Sequence, residues 1–504
     1  MSLSPRSLLA AAAVTAVAPC LVAVPAHAVA PTSCLGRAVT VVASSTVTEG
    51  TEGDDVVAVE PGAWTDFDAK GGNDTICLDV PAEIVTDHYG GRSRLAILDA
   101  GAGDDTVVNL VPAGTTGITT TVTLGLGSDT FTGADIGEQV FAETVAYDPD
   151  AVATDARLTG AQRDVVTGAA QVWSTAPLDG PNADRITFGT RGARAVIDGP
   201  MSADGLVDVS ASEEATLALP SPDRLRSVPY GGVLVDNRAR RVVAGSPTVS
   251  WVGDVQTFEI GTPTRSLGAY VSFVGSDLAE TVRYTDANVG DVDLGGGDDT
   301  LAVQGLNLPT QPASALGGAG RDTAHLEMLC RRSIVVRLDD ATSCDGRTGD
   351  FSRFEEVIAS SGASPEPATT LVGTGRGDTL RAFGSKAVVR GRGGDDVIDA
   401  TAPFVRVRAG AGADRVSAIG LDAVVRGEAG PDRIRMPADG GVFEGDTPRR
   451  QRVALGGPGA DVLVGASDPR PDRLVGGAGK DRADGGKGRR DVCTAEVTRR
   501  CERP

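Results

Sequence analysis

The stretch GGDDVIDATAPFVRVRAGAGADRV, residues 393–416, sets an acid behind a run of glycines and does so again two nonapeptides later. Measured on the acid that closes each turn, the series runs Asp378, Asp396, Asp414 and Asp432, and every step is 18 residues. The apolar residues keep the same beat: Leu380, Ile398, Val416 and Ile434 lie two positions after each acid, and Val389, Val407 and Val425 recur halfway round. A fixed period of this kind marks a solenoid, in which no repeat buries its apolar residues alone and each stacks on the next. Two inward strands per 18 residues make one closed coil. The region therefore reads as all-β, a right-handed parallel β-roll or β-solenoid.

Outward from this stretch the same turn recurs in GTEGDDVV (50–57), KGGNDTI (70–76), AGAGDDTV (100–107), LGLGSDTF (124–131), LGGGDDTL (294–301) and GGAGRDTA (317–324). GGPGADVLV (456–464) and GGAGKDRAD (476–484) follow near the end. The chemistry of such a turn is direct. Glycines allow positive φ and tight curvature, which turns carbonyl oxygens inward at the bend. Asp adds a short carboxylate, and the apolar residue two places on begins a strand facing the core. Calcium takes ~6–8 oxygen ligands at about 2.3–2.6 Å, from carboxylates and carbonyls. One turn supplies half a shell, so an ion sits between two stacked turns, and n turns make at most n − 1 complete sites.

These strings resemble the nonapeptide GGxGxDxUx of the repeats-in-toxin, or haemolysin-type, calcium-binding family, where U is a large apolar residue. GGPGADVLV fits every position, while GGAGRDTA offers Ala324 for U. The resemblance implies Ca2+ as the bound ion. It implies as ligands Asp55, Asp74, Asp105, Asp129, Asp299, Asp322, Asp378, Asp396, Asp414, Asp432, Asp461 and Asp481. The plainer alternative is that Asp only favours the bend, since it tolerates tight turns and bonds its own backbone. Four acids in unbroken register weigh against it, because stacking bare carboxylates at the ~4.7–4.9 Å strand spacing is repulsive unless a cation intervenes. TGAQRDVV (159–166), GPNADRI (180–186) and GSDLAETV (275–282) have lost most glycines, so Asp164, Asp184 and Glu280 read as structural. GGKGRRDVC (485–493) carries its Asp one position late and reads as closing the roll without a ligand. Opposite the regular acids stand Ala387, Val405 and Ala423, which cannot ligate, so the regular region is expected to carry ions along one edge only.

The N-terminus, MSLSPRSLLAAAAVTAVAPCLVAVPAHAVA, has an early Arg6, a long apolar run and the small-residue site Ala26-His27-Ala28. That is the pattern of a secretory signal peptide cleaved after Ala28. Pro19 and Pro25 break its apolar run and no second span follows, which weighs against a membrane span. Its removal takes the net charge from −21 to −22. So large an acidic excess disfavours nucleic acid as a partner and favours cations. Aromatic residues are only 4% of the chain and glycines number 66, so the core is thin and must be supplemented. After Cys20 is discarded six cysteines remain, an even number that favours disulfides in an exported chain. Their clustering favours Cys34–Cys77, Cys330–Cys344 and Cys493–Cys501, whereas a zinc site would lack CxxC spacing.

The expected organisation is a signal peptide (1–28), an N-terminal calcium-repeat block (29–150), a degenerate solenoid or inserted β region (151–270) and a second calcium-repeat block (271–370). The regular 18-residue roll (371–446) and C-terminal repeats with a disulfide cap (447–504) complete the chain. Residues 185–279 contain no good nonapeptide, yet TVSWVGDVQTFEI (248–260) alternates like a strand. They are either coils without metal or a small inserted β domain. The segments QVFAETVAYD (139–148), VQTFEIGTP (255–263), SRFEEVIAS (352–360) and GGVFEGDTP (440–448) each set an aromatic near a glutamate, as if blocks of coils had been duplicated.

Arg376-Gly377-Asp378 spells a short adhesion motif, but it lies inside a repeat turn. Arg390, Arg408 and Arg426 share the 18-residue period and form a column of like charge. A solvated stripe is its default reading, and a docking strip for an anionic polymer is the sharper one. There is no HExxH, no G-x-S-x-G and no phosphate-binding glycine loop. The expectation is a secreted or cell-surface calcium-binding protein of structural or adhesive character, with cell-surface polysaccharide as a candidate partner, and not an enzyme. The alternative is a polysaccharide lyase or epimerase on a β-solenoid scaffold. Members of the resembled family generally leave through an exporter that reads a C-terminal signal, so the toxin label does not carry over to a chain with this N-terminus.

Overall fold

The computed structural model describes residues 32–502, apart from residues 45, 60–64, 79–92, 113–117, 143–162, 177–182, 191, 221–231, 245–246, 262–269, 306–313, 329, 331–332, 345–346, 362–367 and 439–450. The expected signal peptide, Glu143 and Glu444 lie outside the described residues. Among the described residues all regular structure is β. The chain winds alternately through two long, mainly parallel sheets, which makes it a parallel β-solenoid.

The 18-residue beat becomes register. Leu380, Ile398, Val416 and Ile434 are successive partners in one sheet, and Val389, Val407 and Val425 in the other. All seven are buried at 3% exposure or less. Alternate residues point out, so strand Phe404–Ala411 buries Val405 and Val407 while Phe404 and Arg408 face solvent. Alanines such as Ala382, Ala400 and Ala418 fill the second inward position, which keeps the two sheets close and the core narrow.

Residues 185–279 combine both readings offered by the sequence. Strands Arg185–Thr187, Ala193–Asp198, Leu206–Asp208 and Ala215–Leu219 continue the coils. Then Val233–Asp236, Arg241–Val243 and Pro247–Val252 form an antiparallel meander inserted in one sheet. A second meander, Ser333–Arg337, Ala341–Cys344 and Arg347–Ser352, does the same. In each, the last strand pairs in parallel with the coil before and the first strand with the coil after. Trp251 and Phe351 hold the same place, partners of Val207 and Ala315. Around the first meander lie the largest core groups: Phe258 meets Trp251 at 6.0 Å and Phe273 at 4.9 Å between ring centroids. Tyr284 is buried beside them and donates to the Val271 carbonyl at 3.0 Å.

The disulfides are the three that cysteine clustering predicted, Cys34–Cys77, Cys330–Cys344 and Cys493–Cys501. The middle one ties Cys330, which precedes the second meander's first strand, to Cys344 at the end of its second. Among the described residues no helix is long and apolar enough to cross a membrane.

Candidate metal centre

Each turn acid stands one residue before its strand. Asp396, Asp414 and Asp432 precede Val397, Arg415 and Arg433, which are partners in neighbouring coils, so the three carboxyls stack at 1% exposure or less. One oxygen of each is a staple. The Asp378 N–H donates to Asp396 Oδ1 at 2.8 Å, that of Asp396 to Asp414 Oδ1 at 2.9 Å, and that of Asp414 to Asp432 Oδ1 at 3.0 Å. The column runs on to Asp461, Asp481 and Glu496 by the same bond. A separate run of the same bond links Glu280, Asp299, Asp322 and Glu355. Where the turn carries two acids, the first staples the opposite way. Asp395 accepts from the Ala413 N–H at 2.7 Å and Asp298 from that of Arg321 at 2.9 Å. A paired-acid turn thus bonds the coils on both sides.

The second oxygen is different. In Asp74, Asp105, Asp129, Asp299, Asp322, Asp396, Asp414, Asp432, Asp461 and Asp481, Oδ2 is buried with no hydrogen-bond partner. These are ten of the twelve acids that the turn pattern nominated. The other two, Asp55 and Asp378, are capped from within their own turn: Thr51 N and Thr374 N donate to their Oδ2 at 2.8 and 2.6 Å, and both threonine hydroxyls add to it. Asp164, Glu280 and Asp491, read from the sequence as structural or closing, also carry a buried oxygen without a partner. Asp184 does not, because Ser174 Oγ donates to its Oδ2 at 2.7 Å.

The glycines explain how tightly these oxygens are held. A Cβ on Gly391 would overlap both Asp396 Oδ2 and the Ala409 carbonyl of the next coil, and one on Gly427 would overlap Asp432 Oδ2 and approach the Gly456 carbonyl. Carboxylate and carbonyl oxygens therefore face each other with no N–H between them. That donor set, all oxygen and partly anionic, fits a hard cation such as calcium. Among the described residues no three His, Cys, Asp or Glu side chains converge on one point. Each coil brings one buried carboxylate, so a cation here would take the rest of its shell from backbone carbonyls and water.

The column also changes sides. From Asp55 to Asp184 the acids precede strands of one sheet, and from Glu280 onward they precede strands of the other. Because the chain alternates between sheets, the two columns lie on opposite edges of the solenoid. Ala387, Val405 and Ala423 occupy the vacated edge of the regular region and are fully buried. In the last coils that edge becomes charged again. Arg452 is the partner of Asp472, and Asp472 N–H donates to Asp491 Oδ1 at 2.8 Å. Arg452 has no exposed surface; its Nε donates to Asp472 at 2.8 Å and its terminal nitrogens grip Asp468 at 2.8 and 2.9 Å. Among the described residues nineteen carboxylic side chains are buried against this single buried base.

The electrostatics follow. Burial, with neighbouring carboxyls adding to it, pushes Asp396 and Asp432 up to about 7, Asp105 and Asp129 to about 7, and Asp299 to about 8. Asp414 and Asp461 are raised by the same cause. Asp468, gripped by Arg452, is instead lowered despite its burial. Burial sets the direction at Asp472 as well, which is raised although Arg452 donates to it. In Arg376-Gly377-Asp378 the Asp378 carboxyl is 5% exposed and tied to Thr374, so it is not displayed for adhesion. The chain matches no family model, and no curated protein matches it.

Proposed function

We propose that this chain is an exported calcium-binding β-solenoid, with a structural or adhesive role and without catalysis, of the repeats-in-toxin kind that its turns resemble. One observation carries the reading: among the described residues nineteen buried acids face one buried base, and most of those in the columns keep an oxygen that no protein group satisfies. Leaving an ionised carboxylate buried and unpaired costs several kcal/mol. A divalent cation between coils removes that cost, and Arg452 does the same with a guanidinium at the one edge position that has it. Export is supported by the leader pattern and the three disulfides. Calorimetric titration of metal-stripped protein with calcium, and with magnesium as a control, tests the reading. Uptake of several calcium ions per chain is expected, and no heat of binding would refute it.

A specific feature favours one second reading, a polysaccharide lyase or epimerase. A shallow groove of about 220 Å3 on the outer face of one sheet is lined by Arg283, Thr285, Gln304, His325 and Glu327 around the small Ala302. A proton-transferring pair and a cation on a parallel sheet suit an acidic sugar. Turnover of any of a set of uronate polymers, lost in His325→Ala, would establish it.

A further inference from the structure

The C-terminal quarter of the chain has an outer surface of opposite sign to the chain as a whole. The net charge is −21, yet between Arg376 and Glu502 seventeen Lys and Arg are exposed against four exposed acids, Asp395, Glu428, Glu496 and Glu502, among the described residues. The reason is the column. Eight acids from Asp378 to Asp491 are turned into the solenoid edges and a ninth, Asp422, is buried beside Arg406, so the sequence count hides a basic surface. On the first coils the opposite holds: Glu49, Glu52, Asp54, Asp66, Asp68 and Asp104 are exposed, and Lys70 is tied to Glu49 at 2.6 Å.

Within this basic region, one face is ordered. Arg390, Arg408 and Arg426 are partners on three successive strands, exposed, and without an ion pair among the described residues. Their charges repeat along the solenoid axis at the strand spacing of ~4.8 Å. Two neighbours on the same face complete the patch. Arg406 is held by Asp422 at 2.9 Å, and Phe404 opens the strand of Arg408 with 37% of its surface exposed. Basic groups in a straight line fit a linear polyanion, and an aromatic ring beside them fits the apolar face of a sugar.

We propose that this face binds a linear acidic glycan carrying carboxylates, laid along the axis over Arg390, Arg408 and Arg426 with a sugar ring against Phe404. This deepens the adhesive part of the proposed function. Its failure is separable from that of the calcium reading, because calcium uptake is titrated on the same samples. The probe is hyaluronan, an acidic glycan with a carboxylate on every second sugar, compared with neutral dextran and with polyglutamate, on the full secreted chain with calcium present.

Wild type should bind hyaluronan and not dextran, and Arg390→Gln/Arg408→Gln/Arg426→Gln should weaken binding at least tenfold with an unchanged β spectrum. Phe404→Ala should weaken hyaluronan binding severalfold and leave any polyglutamate binding as it was. Failure of wild type to bind hyaluronan, or a triple variant that binds as wild type does, overturns the proposal. Polyglutamate binding as tight as hyaluronan binding, together with no effect of Phe404→Ala, overturns it in favour of a basic patch without sugar recognition. Self-association of wild type in sedimentation, lost in the triple variant, overturns it in favour of a second copy docking its acidic first coils here.

Discussion

Changing Asp414 in two ways separates the two jobs of its carboxylate. Oδ1 accepts the buried Asp396 N–H at 2.9 Å, and Oδ2 has no partner. Asp414→Asn keeps an acceptor at the first position and removes the charge, whereas Asp414→Ala removes both. In metal-stripped protein Asp414→Ala leaves the Asp396 N–H buried and unbonded, at about 1–3 kcal/mol. Hydrogen exchange resolves this locally, which matters because a stack of coils need not unfold in one step. The peptide containing Asp396 should exchange roughly tenfold to a hundredfold faster in Asp414→Ala, since ~1.4 kcal/mol is a factor of ten. Asp414→Asn should exchange at the wild-type rate, because the staple survives and a desolvated acid has gone. With calcium, wild type should slow over the coils from Asp396 to Asp432 and neither variant should, so the difference between the two variants persists. Asp414→Asn exchanging like Asp414→Ala without metal would refute the staple. Asp414→Asn slowing with calcium as wild type does would refute Oδ2 as a ligand.

Asp378→Ala should lower calcium affinity less than Asp414→Ala, because Thr374 already satisfies the Asp378 carboxyl; equal losses in a calcium titration would contradict this. Arg452→Met should destabilise the last coils by about 3–5 kcal/mol, since it strands Asp468 and Asp472, and limited proteolysis should then cut near residue 450 first. The buried acids of the metal-free protein titrate above their unfolded value, so they stabilise it fully below about pH 4 and progressively less as pH rises through about 7 to 8. Denaturation of stripped protein should accordingly have its midpoint higher at pH 5 than at pH 8, and calcium should abolish that acid preference. Cys330→Ser/Cys344→Ser opens a loop of 14 residues, and should loosen the second meander by about 3 kcal/mol of local opening in hydrogen exchange.

Much of this was readable from the residues. The 18-residue spacing of Asp378, Asp396, Asp414 and Asp432 and of Leu380, Ile398, Val416 and Ile434 states the register outright, because only stacked coils convert a sequence period into a straight column. The cysteine clusters likewise stated the three disulfides. Four features were not legible. A nonapeptide marks a turn but not which edge of a two-sheet coil the turn occupies, so the change of edge between Asp184 and Glu280 needed the strand order. The antiparallel meanders ending at Val252 and Ser352 alternate like any strand, and direction is not written in alternation. Asp472 and Asp491 fall out of the nonapeptide phase because they follow Pro471 and an extra Arg490. A buried Arg452 is likewise indistinguishable in sequence from the exposed arginines around it.

The most direct test of the central claim is a far-ultraviolet circular dichroism titration of the metal-stripped protein at pH 7.5 and low ionic strength, read beside calorimetry of the same sample. The account predicts uptake of several calcium ions per chain. The β spectrum should sharpen cooperatively as they bind and be lost again with chelator, because the acids of adjacent coils share ions. An identical spectrum and identical thermal melt with calcium and with chelator would contradict it, and would leave a solenoid held by protonated carboxyls, staples and disulfides alone.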